Sequence, residues 1–164
     1  MQPATHSESP DMRSSRSLRI VVADDERDTV VTLSAILADE GHTVVETFSA
    51  VQALREIRQQ AADAVIVDIS MPGASGYDVA REVRRIYGDA APLLISISGK
   101  WTGQTDRMLS KLAGFNYFLE KPCDPKVLIS LLAPLKRQAP RPSVSLVDDT
   151  FNPVEPGNRA PRDE

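Results

Sequence analysis

Residues that could carry out chemistry stand where the apolar runs of this chain end. The runs cover residues 18–23, 64–67, 92–97 and 115–119. Asp24 and Asp25 follow the first run, Asp68 closes the second, Ser98 follows the third, and Lys121 stands shortly after the fourth. Such runs are typical of buried strands in a parallel sheet, whose carboxyl ends meet at one edge. We therefore expect the three acids, the hydroxyl and the ammonium group to lie close together.

These residue types, brought to one place, predict a metal-dependent phosphoryl site. Asp24, Asp25 and Asp68 would repel one another, because each carboxylate raises the pKa of its neighbours. A divalent cation removes that conflict, and hard oxygen ligands with several retained waters suit Mg²⁺. Lys121 and Ser98 would balance the charge of an arriving phosphoryl group. Asp68 would then act as the nucleophile toward phosphorus in an in-line transfer.

Each of these residues also has an ordinary structural explanation. Asp68 alone fits a helix N-cap or a loop aspartate, and Asp24-Asp25-Glu26 fits an acidic first turn that the helix dipole favours. Ser98 alone fits an N-cap, and Lys121 alone fits a solvated lysine. Cys123 is more simply a small buried side chain than a reactive thiol. The joint arrangement of the four segments favours the phosphoryl site.

The spacing of apolar residues predicts an α/β fold with five strands and five helices in alternation. We expect strands over about 18–23, 43–48, 64–68, 93–97 and 116–119. We expect helices over about 27–39, 50–60, 77–87 and 105–113, with a last helix that starts at the Asp124-Pro125 signal. The last helix should bury Val127, Leu128, Leu131, Leu132 and Leu135. Strands joined by helical crossovers form a parallel, doubly wound sheet.

The composition fits one globular domain. A chain of 164 residues with 41% hydrophobic residues has room for one full core. Its net charge of -4 and the lack of a Lys/Arg stripe argue against a nucleic-acid partner. No apolar stretch approaches the roughly 20 residues that cross a bilayer, so we expect no membrane partner. A single cysteine, Cys123, suits the cytoplasm.

The two ends of the chain lack apolar periodicity. Residues 1–17 are rich in Ser, Pro, Arg and Glu, and prolines punctuate residues 139–164. Such segments cannot bury enough apolar surface to offset the entropy of ordering. We therefore expect a disordered leader over 1–17, a domain over 18–138 and a disordered tail over 139–164.

With these residues in place, the chain resembles the receiver domain of bacterial two-component response regulators over about residues 17–138. Four motifs carry the resemblance: Asp24-Asp25, Asp68-Ile69-Ser70-Met71-Pro72-Gly73-Ala74-Ser75-Gly76, Ser98-Gly99 and Lys121-Pro122. They occur in the order, and with the spacing, typical of that family. The resemblance implies a CheY-like, flavodoxin-like sheet with strand order 2-1-3-4-5.

The resemblance also implies a role for each site residue. Asp68 would accept a phosphoryl group from a histidine kinase or a histidine phosphotransfer protein. Asp24, Asp25, Asp68 and the backbone carbonyl of Ser70 would hold Mg²⁺. The domain would catalyse only its own phosphorylation and dephosphorylation, as a signalling module and not as an enzyme acting on other substrates.

In such domains the phosphoryl group switches a surface. Ser98 would swing toward the phosphoryl oxygen, and Phe118 would move inward behind it. The altered surface would comprise the fourth helix, the fifth strand and the fifth helix, where a downstream protein of unknown identity would bind. The resemblance also implies a cis Lys121-Pro122 bond. The sequence leaves open whether phosphorylation drives dimerisation.

Some positions depart from the family pattern. Ala74 stands where a larger apolar residue is common, and Ser75 where an acid is common, so we expect looser packing of the loop after Asp68. Ser70 and Lys100 occupy positions that tune the phosphoryl lifetime, which the sequence leaves open. Residues 139–164 are too few and too polar for an output domain, so the sequence predicts a stand-alone receiver that binds a partner, relays phosphate or acts as a phosphate sink.

Two other functions compete with this one. The first is a receiver fold that serves as a scaffold and binds its partner regardless of phosphorylation. The second is a small Mg²⁺-dependent phosphatase of the haloacid dehalogenase type, which also uses an aspartyl nucleophile. Such enzymes place a D-x-D motif after the first strand, and Glu26 stands where the second aspartate is required.

Overall fold

The computed structural model describes residues 16–100 and 103–142. The strands are β1 (Arg19–Ala23), β2 (Thr43–Thr47), β3 (Ala64–Asp68), β4 (Leu93–Ser98) and β5 (Tyr117–Glu120). The α-helices are α1 (Arg27–Asp39), α2 (Ala50–Gln59), α3 (Gly76–Tyr87), α4 (Gln104–Ala113) and α5 (Pro125–Leu132), and 3-10 turns cover Gly88–Ala90 and Ala133–Arg137. The predicted alternation of five strands and five helices is confirmed.

The strands form one parallel sheet in the order β2-β1-β3-β4-β5, as the resemblance implies. β3 lies in the centre and all of its residues are buried, because helices cover both faces of the sheet. Within the register, Asp68 pairs with Ile97 and Ser98 pairs with Glu120. The last residues of the central strands therefore lie side by side at one edge.

Alternate residues of the central strands point into two separate cores. Val21 and Val65 pack in one core with residues of α2 and α3, including Leu54 and Val83. The other core holds a set from β1, β3, α1 and α5, namely Ile20, Ile66, Val30, Leu37, Leu128 and Leu132. The alternation follows from the two-residue period of a strand. Two cores on opposite faces make the sheet a rigid platform for its edge.

The last helix differs from its predicted form. Leu128 and Leu132, four residues apart, are fully buried, whereas Val127 is 44% exposed. The prediction that Val127 faces the core is therefore wrong, since a helix of eight residues buries only a narrow stripe. α5 ends at Leu132, and the chain continues as a 3-10 turn that contains Pro134, which has no N–H to donate.

No helix among the described residues is long and apolar enough to cross a membrane. The longest of them, α1, has 13 residues, whereas a spanning helix needs about 20.

Both ends of the described chain contact the amino-terminal edge of the sheet, opposite Asp68. Arg16 donates hydrogen bonds from Nη1 and Nη2 to the two carboxylate oxygens of Asp63, at 3.0 and 2.8 Å, and from Nε to the carbonyl of Gln138 at 2.7 Å. Arg141 donates to the carbonyls of Ala90 and Ala91. Arg16 and Arg141 thus make defined contacts outside the predicted 18–138 boundaries. The remainder of the predicted leader and tail, residues 1–15 and 143–164, lies outside the described residues.

Candidate functional site

Three aspartates meet at the carboxyl edge of the sheet. Asp24 follows β1 and is buried, Asp68 ends β3 with 6% exposed, and Asp25 is exposed. One carboxylate oxygen from each lies within 4.8 Å of the other two. The sequence predicted this cluster from the parallel strands. Because β1 and β3 are neighbours in the sheet, their terminal carboxylates have to be close.

Asp68 is only partly compensated in its buried position. Its Oδ1 accepts a hydrogen bond from the Ser70 N–H at 3.2 Å. Burial, and then the charge of Asp24, raise the pKa of Asp68, and these effects outweigh the Ser70 hydrogen bond and the charge of Lys121. A carboxylate that is buried beside another acid and whose charge is only partly compensated is suited to bind a cation or to react.

Lys121 brings the compensating positive charge. Its Nζ donates to Asp24 Oδ2 at 2.6 Å and lies 3.6 Å from Asp68 Oδ2. Burial lowers the pKa of Lys121, but the hydrogen bond to Asp24 and the charge of Asp68 outweigh that effect, so the net shift is upward. The lysine therefore stays charged between the two buried acids. The Lys121-Pro122 bond is cis, as the resemblance implies.

A cavity of about 200 Å³ opens at this cluster. It is lined by Asp25, Glu26, Asp68, Ser70, Gly99, Lys100 and Lys121. Lys100 and Ser70, the two positions that the resemblance connects with the phosphoryl lifetime, are both among these lining residues. The Glu26 carboxylate is exposed and accepts a hydrogen bond from the Thr29 hydroxyl, so it does not join the three aspartates.

Ser98 and Phe118 lie behind the cavity, and neither is among its lining residues. Ser98 is fully buried, and its Oγ accepts from the Lys100 N–H at 3.4 Å. Phe118 is half-buried and lines a separate space between α4 and β5, together with Ser110 and other residues. The structure thus brings Asp24, Asp25, Asp68 and Lys121 together, while the Ser98 hydroxyl is buried and contacts the backbone of Lys100.

The loop after Asp68 is held by a capping box at the start of α3. The Ser75 N–H and hydroxyl both donate to the Asp78 carboxylate, at 2.7 and 2.9 Å. Serine is as good an N-cap residue as an acid. Ala74 is half-buried and packs against the core. Looser packing of this loop than in other members of the family stays a prediction.

Gly76 fixes the distance between this loop and β3. A Cβ at this position would lie 2.6 Å from the Asp68 carbonyl oxygen and 2.8 Å from the Ile69 Cα, both of which are backbone atoms. The Gly76 N–H donates to the Ile69 carbonyl at 3.1 Å. The sequence did not predict this close approach, since nothing in the local sequence shows which backbone atoms come near.

A larger cavity of about 570 Å³ lies on the other side of Lys121. Residues of α1 and of the segment before α5 line it, including Leu33, Ile36, Pro122 and Cys123. Cys123 is half-buried, and burial raises the pKa of its thiol. A raised thiol pKa disfavours the reactive thiolate. Cys123 is therefore a packing residue, as the sequence suggested.

The donor set fits a hard divalent cation. Three carboxylates within 4.8 Å supply oxygen ligands only, and the described residues bring no histidine or cysteine into the group. Hard oxygen ligands suit Mg²⁺ better than softer transition metals. The remaining like-charge repulsion, visible in the raised pKa of Asp68, is what such a cation would relieve.

Comparison with known proteins agrees with this geometry. The family model described as "Response regulator receiver domain" matches residues 20–133. Protein PilH of Pseudomonas aeruginosa is 29% identical over 114 residues, which cover 70% of this chain and 93% of PilH. The DNA-binding response regulator MtrA of Mycobacterium tuberculosis is 30% identical over 129 residues, which cover 78% of this chain and 55% of MtrA.

A solved structure shows the same fold. The CheY-like response regulator receiver domain protein from Methanospirillum hungatei superimposes with a TM-score of 0.67 at 21% identity, over 74% of this chain and 94% of that chain. Receiver domains are signalling domains that accept phosphate from histidine kinases and generally bind Mg²⁺ in an acidic pocket. The matched span of the family model covers most of the chain and includes every motif at the carboxyl edge. The chain therefore belongs to the response regulator receiver domain family.

Proposed function

We propose that this protein is a phosphoacceptor in a two-component phosphorelay, with Asp68 as the acceptor. The supporting observation is the environment of Asp68: a buried carboxylate with a raised pKa, beside the Asp24 carboxylate and 3.6 Å from the Lys121 ammonium. The donor is a histidine kinase or a histidine phosphotransfer protein. Mg²⁺ is held by Asp24, Asp25, Asp68 and the Ser70 backbone carbonyl.

The two oxygens of Asp68 have different tasks in the transfer. Oδ1 accepts the Ser70 N–H and orients the carboxylate, while Oδ2, which faces Lys121, attacks phosphorus. The new O–P bond forms as the N–P bond of the phosphohistidine breaks, and the leaving imidazole nitrogen takes a proton from solvent. Mg²⁺ held by these residues would supply positive charge beside the carboxylates and so favour the ionised form of Asp68.

Lys121 and Ser98 respond to the product. The Lys121 ammonium, now bonded to Asp24, also lies near Asp68 and balances the charge of the phosphoryl group on Oδ2. Ser98 exchanges its bond from the Lys100 N–H for a hydrogen bond donated to a phosphoryl oxygen. Phe118 moves inward behind Ser98, so the face formed by α4, β5 and α5 changes. That face binds the downstream protein, or a second copy of the chain if phosphorylation drives dimerisation.

We also propose that residues 18–138 form the folded unit. The single cysteine supports a cytoplasmic location.

Intact mass measurement after incubation with acetyl phosphate tests the proposal. We expect one added phosphoryl group that requires both Mg²⁺ and Asp68, and therefore none on Asp68→Asn. Asp89→Asn is the matched control, because Asp89 is exposed at the opposite edge. An adduct that persists on Asp68→Asn would exclude Asp68 as the acceptor. A partner that binds Asp68→Asn as tightly as the phosphorylated protein would favour the scaffold function instead.

A further inference from the structure

The outer face of α4 exposes large apolar side chains. Met108, Leu109 and Leu112 are 66%, 47% and 77% exposed. Met108 and Leu112 are four residues apart and Leu109 and Leu112 three apart, so all three share one face of the helix. We name this set the α4 ridge. A contiguous apolar patch on an otherwise charged helix is a common mark of an interaction surface.

A cationic row runs beside the α4 ridge. Arg107 and Lys111 are exposed and four residues apart, each one position before a ridge residue. Arg107 pairs with the exposed Glu120 at 3.1 Å, which is a weak and exchangeable contact for an exposed pair. The face therefore suits a ligand segment that combines apolar and acidic residues.

The chain leaves the domain next to this face. Arg141 contacts Ala90 and Ala91, just before β4 begins. The β4 residue Leu94 exchanges hydrogen bonds with Asn116, at 2.8 Å in both directions. Asn116 lies three residues after Ala113, where α4 ends. Arg141, next to the last residue that the structure describes, thus lies at the same edge of the sheet as the carboxyl end of α4, where Leu112 is located.

The segment of residues 144–151 has a composition that complements this face, since it combines apolar and acidic residues. Residues 144–151 read Val-Ser-Leu-Val-Asp-Asp-Thr-Phe, with apolar Leu146 and Val147 directly before acidic Asp148 and Asp149. An extended chain from Pro142 to Leu146 reaches about 13 Å. The helix rises only about 8 Å from Ala113 back to Met108. The segment is therefore long enough to lie along the ridge.

We propose that residues 144–151 pack on the α4 ridge of their own domain. Leu146 and Val147 cover Met108 and Leu112, and the acidic pair lies opposite the Arg107 and Lys111 row. A short tether gives an effective concentration of about 1 mM, so even weak contacts occupy the face. Because this face belongs to the proposed output surface, the segment competes with the downstream partner. The competition with a downstream partner rests on the proposed function, whereas the docking of the segment does not.

Paramagnetic relaxation in full-length protein tests the docking. A nitroxide label is attached to Ser145→Cys in an Asp68→Asn, Cys123→Ala background, and amide signals are recorded without phosphodonor. We expect selective loss of the signals of residues 107–112, with the signals of α1 unaffected. A label on Gln59→Cys, which is exposed at the end of α2, serves as the control for non-specific broadening.

Paired variants separate the two parts of the contact. Leu146→Ser with Val147→Ser should restore the lost signals, because the apolar contact is removed. Lys111→Glu should restore them in part, and Asp148→Lys added to Lys111→Glu should bring the loss back. Uniform signals in the labelled protein would overturn the proposal, as would selective loss at another surface.

Two further measurements test whether a second copy covers the α4 ridge, and they separate this inference from the proposed function. The first measurement mixes nitroxide-labelled protein that lacks ¹⁵N with ¹⁵N-enriched protein that lacks the nitroxide. Loss of the α4 amide signals in this mixture would show that the segment of a second copy occupies the face, and it would overturn docking within one chain. In the second measurement, Asp68 is restored in the nitroxide-labelled protein and acetyl phosphate is added. The loss of the α4 amide signals should then be smaller. Docking without any phosphoryl adduct would defeat the proposed function alone, and an adduct without docking would defeat this inference alone.

Discussion

Asp63 directly precedes β3 and Asp68 ends it. Each is 6% exposed, yet their pKa values are shifted in opposite directions. At the amino end, burial raises the pKa of Asp63, but the hydrogen bonds from the Arg16 guanidinium and the Arg19 N–H outweigh it, so the net shift is downward. At the carboxyl end, burial and the charge of Asp24 leave the pKa of Asp68 raised. At equal burial, the negative charge of Asp63 is thus well compensated at one edge, whereas that of Asp68 is only partly compensated at the other.

The difference lies in the hydrogen-bond donors. Asp63 receives two guanidinium bonds and one backbone N–H, with the Arg19 N–H at 2.9 Å. Asp68 receives one backbone N–H and has the Lys121 ammonium at 3.6 Å. Fixed donors to the charged form lower a carboxylate pKa, and like charges raise it. A cation or a phosphoryl group can complete the second site, whereas the first is already complete.

The largest change in the free energy of unfolding is expected when the Asp63 carboxylate is removed. Asp63→Ala leaves the Arg16 guanidinium without its carboxylate partner and the Arg19 N–H without its side-chain acceptor. We expect a loss of about 3 kcal/mol in the free energy of unfolding, as for other broken buried pairs. Urea denaturation checks this, with the exposed Asp89→Ala as control. Equal stability of Asp63→Ala and wild type would contradict the structural role of this edge.

The next effect concerns the backbone at the opposite edge. Gly76→Ala places a methyl group 2.6 Å from the Asp68 carbonyl, so the loop has to move. We expect a loss of about 2 kcal/mol, typical of overpacking, together with slower phosphorylation of Asp68. Gly99→Ala is the matched control, because a Cβ there makes only ordinary contact, 3.5 Å from Lys121 Cβ. Similar losses for both glycine variants would contradict the argument.

A smaller effect of opposite sign is expected at Asp68. Asp68→Asn removes one charge from the acidic cluster, so the metal-free protein should gain about 1 kcal/mol in stability at pH 7. Urea denaturation in the presence of a chelator measures the gain. Added Mg²⁺ should stabilise wild type more than the variant, because ligands raise stability in proportion to their binding. A destabilised metal-free Asp68→Asn would contradict the account of this edge.

The smallest expected effect is a change with pH in the stability that the Asp68→Asn variant gains over wild type. Because the pKa of Asp68 is raised in the folded state, folded protein binds this proton more readily than unfolded protein. The destabilising effect of the Asp68 charge is therefore complete above the raised pKa and vanishes below the unfolded pKa. As the pH falls through the raised pKa toward about 4, the advantage of the variant should disappear. The Asp63 contribution, from a lowered pKa, is kept in this range and lost only at lower pH. Denaturation series with chelator from pH 7 to acid check the profile, and a constant difference would contradict it.

The carboxyl edge was predictable because its residues follow apolar runs. Asp24 directly follows β1 and Asp68 ends β3, so the strand pattern places both at the carboxyl edge. The strand order that the resemblance implied makes these two strands neighbours. Arg16 and Asp63 are 47 residues apart without any such pattern, and their pairing depends on how the chain enters the domain. The position of Ser98 on its strand was predicted, but the direction of its hydroxyl depends on the adjacent loop. Helical spacing overestimated the buried face of α5 at Val127, because the helix is short.

The contact of Arg16 Nε with the Gln138 carbonyl, at 2.7 Å, brings the entry and exit of the domain together. The order of the elements along the chain can therefore be changed without changing the fold. A circular permutant could join residue 138 to residue 16 through a short linker and open the chain in the exposed turn at Gly88–Ala90. The strands would keep their neighbours, and the carboxyl edge would keep all of its aspartates, so phosphoryl acceptance should survive a complete rearrangement of the gene.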